Sequence, residues 1–229
     1  MIIKGGKTMR RTLSLISVIL CALVLSSCSL RDALLSAMGF DTYDYEGEDV
    51  LSVVSPESAE ARNLCEMVRI LSVNNPMLPE FESAGEAVDE CRDAILNYLL
   101  CTGFSMYMGN TELIEEAEEK YPELRLITVI PAEDFENFVY TYFGGNAKVT
   151  NKSSELFTYL DKAEAYTAVT EPIESEISVN VVLCEKTEKT YRLKFRCSHG
   201  EAVSPVYRAL IVRRPDGSAY FKSLKIVEE

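Results

Sequence analysis

At Gly144-Gly145 the apolar pattern of the chain changes period, and that change limits its possible folds more than any other feature of its 229 residues. Before it, apolar side chains recur mainly every three or four positions. After it they alternate. The first spacing buries one stripe of a helix and the second buries one face of a pleated sheet. A chain with helices first and antiparallel strands afterwards can close its core by laying the helices on one face of the sheet, which is the α+β arrangement.

The helical half has its own punctuation. Ser55-Pro56 reads as a helix start, with Ser as cap and Pro at the first helical position, where its missing N–H is harmless. Ala61, Leu64, Cys65, Val68 and Leu71 then keep helical spacing to about Asn74, and Asn75-Pro76 ends the run. Ser83-Ala84-Gly85-Glu86 fits a capping box. From there Ala84, Val88, Cys91, Ile95, Tyr98, Leu99 and Thr102 continue one face, which predicts a longer second helix stopping between Gly103 and Gly109 and an antiparallel helix pair. Asn110 to Lys120 predicts a short acidic helix, with Glu112, Glu115, Glu116, Glu118 and Glu119 as a solvated surface. Leu124 to Ile130 has the β-branched content of a strand. Pro131 opens a further helix on which Phe135, Phe138, Val139 and Tyr142 share a face, stopped by Gly144-Gly145.

In the alternating half, Leu156 to Leu160 and Tyr166 to Thr170 are short extended segments about Asp161-Lys162-Ala163-Glu164, with helix as the alternative for the first. Ile177, Val179, Val181 and Leu183 alternate, and Tyr191, Leu193, Phe195 and Cys197 answer them across Lys186 to Lys189, which predicts a hairpin. Val206 to Arg213 and Ala219 to Val227 flank Pro215-Asp216-Gly217, whose Asp-Gly step suits a tight reversal. With odd-numbered residues of both strands in the first hairpin facing the core, Cys184 points away from Cys197. The expectation is a single α+β domain over residues 51–229, its N-terminal helices packed on the concave face of a curved antiparallel sheet. In element order this resembles the cystatin-like and NTF2-like folds.

The first 27 residues read as an export signal. A basic segment ends in Met9-Arg10-Arg11, and a mainly apolar run of about fourteen residues follows from Thr12 to Leu25, short of the roughly 20 needed to span a bilayer. Leu25-Ser26-Ser27-Cys28 comes next. Small side chains at Ser26 and Ser27 let a scissile peptide enter a protease site, and the Cys28 thiol is a nucleophile able to accept a diacylglyceryl group. Together these resemble the lipobox of bacterial lipoproteins. The resemblance implies cleavage before Cys28, lipidation of Cys28, and display on the extracytoplasmic face of a bacterial membrane, where two acyl chains anchor a protein stably. Residues 28–50 are then the lipidated N-terminus and a tether.

Removing the leader takes four basic residues with it, leaving 19 Lys and Arg against 36 Asp and Glu, a mature net charge of −17. A field of that sign repels nucleic acid, anionic lipid head groups and anionic wall polymers. Five thiols stay in the mature body beyond Cys28: Cys65, Cys91, Cys101, Cys184 and Cys197. That odd number cannot all pair internally, and no spacing among them fits zinc or a dithiol redox site.

No catalytic motif is present, and the pattern implies neither a metal nor a cofactor. The single histidine, His199, sits in Ser198-His199-Gly200-Glu201 and reads as a turn residue, with a base or ligand as the sharper alternative. Tyrosine is abundant, 12 residues against no Trp. Buried rings with satisfied hydroxyls are the plain reading. The sharper one is a pocket between helix and sheet lined by Tyr140, Tyr142, Tyr166, Tyr191 and Tyr207, with His199. The function these features favour is a non-catalytic binding or interaction module held on the membrane by its lipid, its partner an envelope protein or a small ligand. The alternatives are an envelope enzyme or hydrolase accessory protein, and a structural envelope component.

Overall fold

The computed structural model describes residues 43–145, 147–174 and 176–228. The leader, Cys28 and most of the tether therefore lie outside the described residues. Chain contacts divide the protein into Met1–Glu46 and Gly47–Glu229. In the described part of the first unit, the Tyr43 and Tyr45 rings meet edge-on with centroids 4.7 Å apart.

The second unit begins with a two-residue strand, β1 (Ser52–Val53), followed by helix α1 (Ala59–Arg69). The cap of α1 is Ser58, whose hydroxyl accepts from the Ala61 N–H at 3.0 Å. Ser55-Pro56 instead forms the turn before it, closed by a bond from Ser58 N–H to the Ser55 carbonyl. The serine half of the capping box forms: Ser83 caps α2 (Ala84–Glu90) by accepting from the Glu86 N–H, while the Glu86 carboxylate reaches one residue further back, to the Glu82 N–H. The expected single long helix is two, because Cys91 leaves helical geometry between α2 and α3 (Arg92–Gly109), and α3 is itself interrupted at Gly103. Helix α1 packs chiefly on the sheet, and α2 and α3 pack on a later helix.

Asn110 caps the acidic helix α4 (Thr111–Lys120). The segment Leu124 to Ile130 is not a strand over most of its length. Its Leu126 N–H goes to the Glu118 carboxylate and its Thr128 carbonyl accepts from the Thr167 hydroxyl, so side chains take the bonds a ladder would have used. Only β2 (Ile130–Pro131) pairs, and α5 (Ala132–Phe143) follows with Phe135 and Val139 fully buried. The chain turns out of α5 at Gly144, where φ is +89° and a Cβ would meet the Tyr220 ring at 3.1 Å, so glycine is required twice over. Strands β3 (Phe157–Leu160) and β4 (Ala165–Ala168) form a hairpin that joins β2 in a three-stranded sheet of order β2-β4-β3.

The larger sheet holds β5 (Ser178–Lys186), β6 (Thr190–His199), β7 (Ala202–Val203), β8 (Tyr207–Arg213) and β9 (Ala219–Ile226), in antiparallel order β1-β5-β6-β8-β9 with β7 on β6. This is the α+β fold expected from the change of period. Helices α1 and α5 pack on its inner face, at β5 and β9 respectively. That face carries Leu193, Phe195, Cys197, Tyr207, Ala209, Ile211, Phe221 and Leu224, all fully buried. The Tyr207 hydroxyl donates to the Leu78 carbonyl and accepts from the Leu78 N–H, at 3.0 and 2.9 Å.

The inward alternation of β5 breaks at a bulge between Val181 and Leu183, where pairing jumps from Phe195 to Lys194. Beyond it even-numbered residues face inward. Cys184, opposite Leu193, is thus buried on the same face as Cys197, which corrects the expected outward orientation. The two still lie at different register positions, and all five body thiols are free. Burial raises the Cys184 thiol to about 11 and those of Cys91 and Cys197 to about 12, so these three are held protonated and inert.

Glu60 fastens α1 to the sheet. Its carboxylate accepts from Lys186 Nζ at 2.7 Å and from the Tyr191 hydroxyl, and these bonds hold its pKa below the usual value of 4.5. Tyr191, raised to about 12 by burial first and Glu60 second, stays a donor throughout. A carboxylate with a depressed folded pKa adds stability above its unfolded pKa and loses it as pH falls through the folded one. Glu60→Gln is therefore expected to flatten the loss of stability below about pH 4.5, with the larger difference from the parent at neutral pH. Urea unfolding across pH 3 to 7 checks this, and parallel profiles would contradict it.

Candidate functional site

A cleft of about 420 Å³ lies where α5 starts, beside the β3–β4 turn. Its position follows from local chemistry. Pro131 places the first turn of α5, the Ala132 N–H bonds the Glu164 carbonyl at 2.8 Å, and Glu164 adopts a positive φ of 48° to complete the hairpin turn. Glu133 and Glu136 from α5, Glu164 from the turn, Asn151 from the connector and Tyr159 from β3 make its polar lining. Leu113, Ala132 and Ala163 supply apolar wall.

Behind it runs a directed chain of hydrogen bonds. Arg92 is 2% exposed; its Nη1 donates to the Tyr166 hydroxyl at 3.1 Å, and its Nη2 donates to the Thr150 carbonyl at 2.8 Å and to Asp89 at 3.2 Å. Tyr166 donates to Asn151 Oδ1 at 2.8 Å, and Asn151 Nδ2 donates to Glu136 at 2.7 Å. The order of groups sets each orientation. A guanidinium can only donate, so the phenol must pass its own proton onward, and a carboxylate can only accept, so the amide must turn its nitrogen to Glu136. The guanidinium also lies 5.2 Å from the centroid of the Phe135 ring. Burial raises the Tyr166 pKa, opposed by the Arg92 charge. Tyr159 is raised too, first by burial and then by Glu164, Glu136 and Asp161, so both phenols stay protonated at neutral pH.

A second, more open cleft of about 320 Å³ lies between α3 and α5. Phe138 and Tyr142 stack there at 4.4 Å, beside Met106 at 58% exposure.

Neither of these two clefts gathers the tyrosines and histidine singled out in the sequence. Tyr166 and Tyr207 are fully buried with bonded hydroxyls, and Tyr191 is tied to Glu60. Tyr142 lines the open cleft, and Tyr140 is exposed on α5 with its carbonyl held by Arg214 at 3.0 Å. His199 ends β6, with Nε2 3.8 Å from the exposed Glu176 carboxylate. Neither cleft holds two of the six. Arg92, Asn151 and Glu136 went unread in the sequence. Arg92 had a signal: it lies four residues after Val88 and three before Ile95, an arginine at the margin of an apolar helix face.

Among the described residues no group of three or more His, Cys, Asp or Glu side chains could hold a metal ion. None of the described helices is long and apolar enough to cross a membrane. In comparisons with known proteins, no family model, no curated protein and no solved structure matches the chain.

Tyr166→Phe keeps the ring but leaves Arg92 Nη1 without its acceptor and Asn151 Oδ1 without its donor. It is expected to cost about 1–3 kcal/mol, read as a lower urea midpoint at unchanged slope. A loss below about 0.5 kcal/mol, the size of an ordinary surface change, would show that the chain is dispensable.

Proposed function

We propose that this chain is a bacterial envelope lipoprotein, anchored by diacylglyceryl-Cys28 on the extracytoplasmic face of a membrane, whose body binds a cationic group in the cleft at the start of α5. The observation that carries the anchor is the order of a basic segment, a short apolar run and Leu25-Ser26-Ser27-Cys28. Of the five unpaired thiols three are fully buried, a placement that would shield them from oxidants in that location.

Binding is supported by the lining of the cleft. Three carboxylates, an amide and a protonated phenol offer mostly acceptors, the complement of an ammonium or guanidinium group. Glu136 has one oxygen engaged by Asn151 and that amide is oriented from behind, so the cleft is organised before a ligand arrives. A binding module accounts for these features without catalysis, since the lining has neither a nucleophile with its base nor a metal set.

Two measurements test the two halves. Expressed in bacteria, the parent is expected to incorporate labelled fatty acid and sediment with membranes, and Cys28→Ala to lose both; an unlabelled parent removes the anchor. For the cleft, ethylguanidinium titrated into the unacylated mature chain is expected to shift the Asn151 side-chain NMR signals, and Glu136→Gln to weaken binding about ten-fold, the worth of one charge-assisted contact of about 1.4 kcal/mol. Shifts spread evenly over the acidic surface would defeat the cleft assignment.

A further inference from the structure

The break in α3 at Gly103, where φ is −112° and ψ is 15°, makes room for a ring. A Cβ at that position would lie 2.7 Å from Cε2 of Tyr107, and Tyr107 is 4% exposed, so the ring is held where the glycine admits it. The last turns of α3 then carry Tyr107 inward and leave Met106 and Met108 exposed. Tyr107 faces the Asp134 carboxylate of α5. Its hydroxyl is pushed up first by burial and then by that carboxylate, so it stays protonated and presents a donor to Asp134. Gly103 and Tyr107 thus back one carboxylate in the cleft of about 320 Å³ between α3 and α5.

The other walls of this cleft are mostly apolar. Leu99 and Met106 come from α3, and Phe138 and Tyr142 from α5. Phe138 stacks on Tyr142 at 4.4 Å and meets Tyr98 at 5.6 Å, so three half-buried rings form one cluster along the groove. Methionine beside aromatic rings makes a surface that adapts to an apolar ligand.

Among the described residues lining the cleft, Asp134 is the only charged one. The Thr141 hydroxyl donates to the Asn137 carbonyl of its own helix at 2.8 Å, which leaves its lone pairs as acceptors. Acceptors above an aromatic floor call for a ligand that donates from a positive group and covers the rings with an apolar body. A carboxylate beside low-dielectric walls attracts such a cation more strongly than one on an open surface. The volume is also suitable: about 150 Å³ admits benzene in an apolar cavity, and this cleft has room for a ring and a short alkyl arm.

We infer that the cleft between α3 and α5 binds an arylalkyl ammonium ion, its ammonium on Asp134 and its ring against Phe138 and Met106. This site is separate from the acidic cleft at the start of α5, and it does not depend on lipid at Cys28. Phenethylammonium is titrated into the unacylated mature chain and followed by calorimetry and by the Met106 methyl NMR signal. Saturable binding that moves Met106 before the Asn151 side-chain signals is expected. Neutral phenethyl alcohol, close to it in shape, should bind about ten-fold more weakly for want of the charge-assisted contact. Asp134→Asn should weaken the ammonium ion by about the same factor and leave the alcohol within about two-fold. Phe138→Leu, which keeps an apolar side chain but removes the ring, should weaken both ligands about five-fold. Glu115→Gln, an equal charge change on α4, should leave binding within about two-fold, and circular dichroism confirms that the variants are folded. Equal affinity for the alcohol and the ammonium ion, or equal loss from Glu115→Gln, overturns the assignment. An Asn151 response at the same or lower concentration than that of Met106 also overturns it, since it places the cation in the other cleft. Ethylguanidinium binding at Asn151 is read separately, so failure of this site and failure of the acidic cleft are distinguishable.

Discussion

The structure depends on the one-sided burial of β6. Leu193, Phe195 and Cys197 go fully inward while Arg192, Lys194 and Arg196 go outward, and the strand is paired on both edges by β5 and β8. A strand with three cations on one face and three buried groups on the other has only one register, since a slip of one residue would exchange them. Once that register is set, the positions of its neighbours follow. The bulge in β5 keeps Cys184 inward against Leu193, and the bulge between Leu210 and Ile211 does the same for Phe221 of β9. Helices α1 and α5 then meet a face already formed.

Arg92 solves a different problem: the connector from α5 to β3 is polar and has no strand partner. A buried guanidinium loses hydration worth several kcal/mol, which bonds to a phenol, a carbonyl and the exposed Asp89 carboxylate return only in part. Its Nε has no partner, so the accounting is not complete even here. What the guanidinium supplies is specificity. One planar group reaches Tyr166 in the small sheet, Thr150 in the connector and Asp89 in α2, and so fixes three segments relative to α3. Asp93 and Asn97 extend the same device, Asp93 to Ser154 and the Leu156 N–H, and Asn97 to both backbone groups of Ile173. Helix α3 therefore pins both flanks of the small sheet through polar side chains, and Asn151 is held in place at the cleft as a result.

Much of this was legible in the sequence where one residue type has one physical use. The change of period gave helices followed by an antiparallel meander, Pro131 and Gly144 bounded α5, and Pro215-Asp216-Gly217 turned β8 into β9 with Gly217 at φ +87°. What escaped depends on partners distant in the chain. Leu124 to Ile130 has strand composition, but Glu118 and Thr167 take its bonds. The bulge in β5 leaves no mark in Val179-Asn180-Val181-Val182-Leu183-Cys184, because every residue there suits either face. The hydrogen-bond chain at the cleft joins positions 92, 166, 151 and 136, and only Tyr166 stood out, as one tyrosine among twelve.

Net charge is a coarse guide to a surface, since it adds charges that never act together. The chain's sum of −13 governs behaviour many ångströms from the protein, yet in physiological salt a field fades over about 8 Å. At contact a surface meets only the nearest charges. On β6 alternation sends Arg192, Lys194 and Arg196 to one side, so a two-residue period sorts charge by face as surely as it sorts apolar side chains. A body acidic as a whole can therefore gather cations on one face of a single strand, and its net charge does not describe that face.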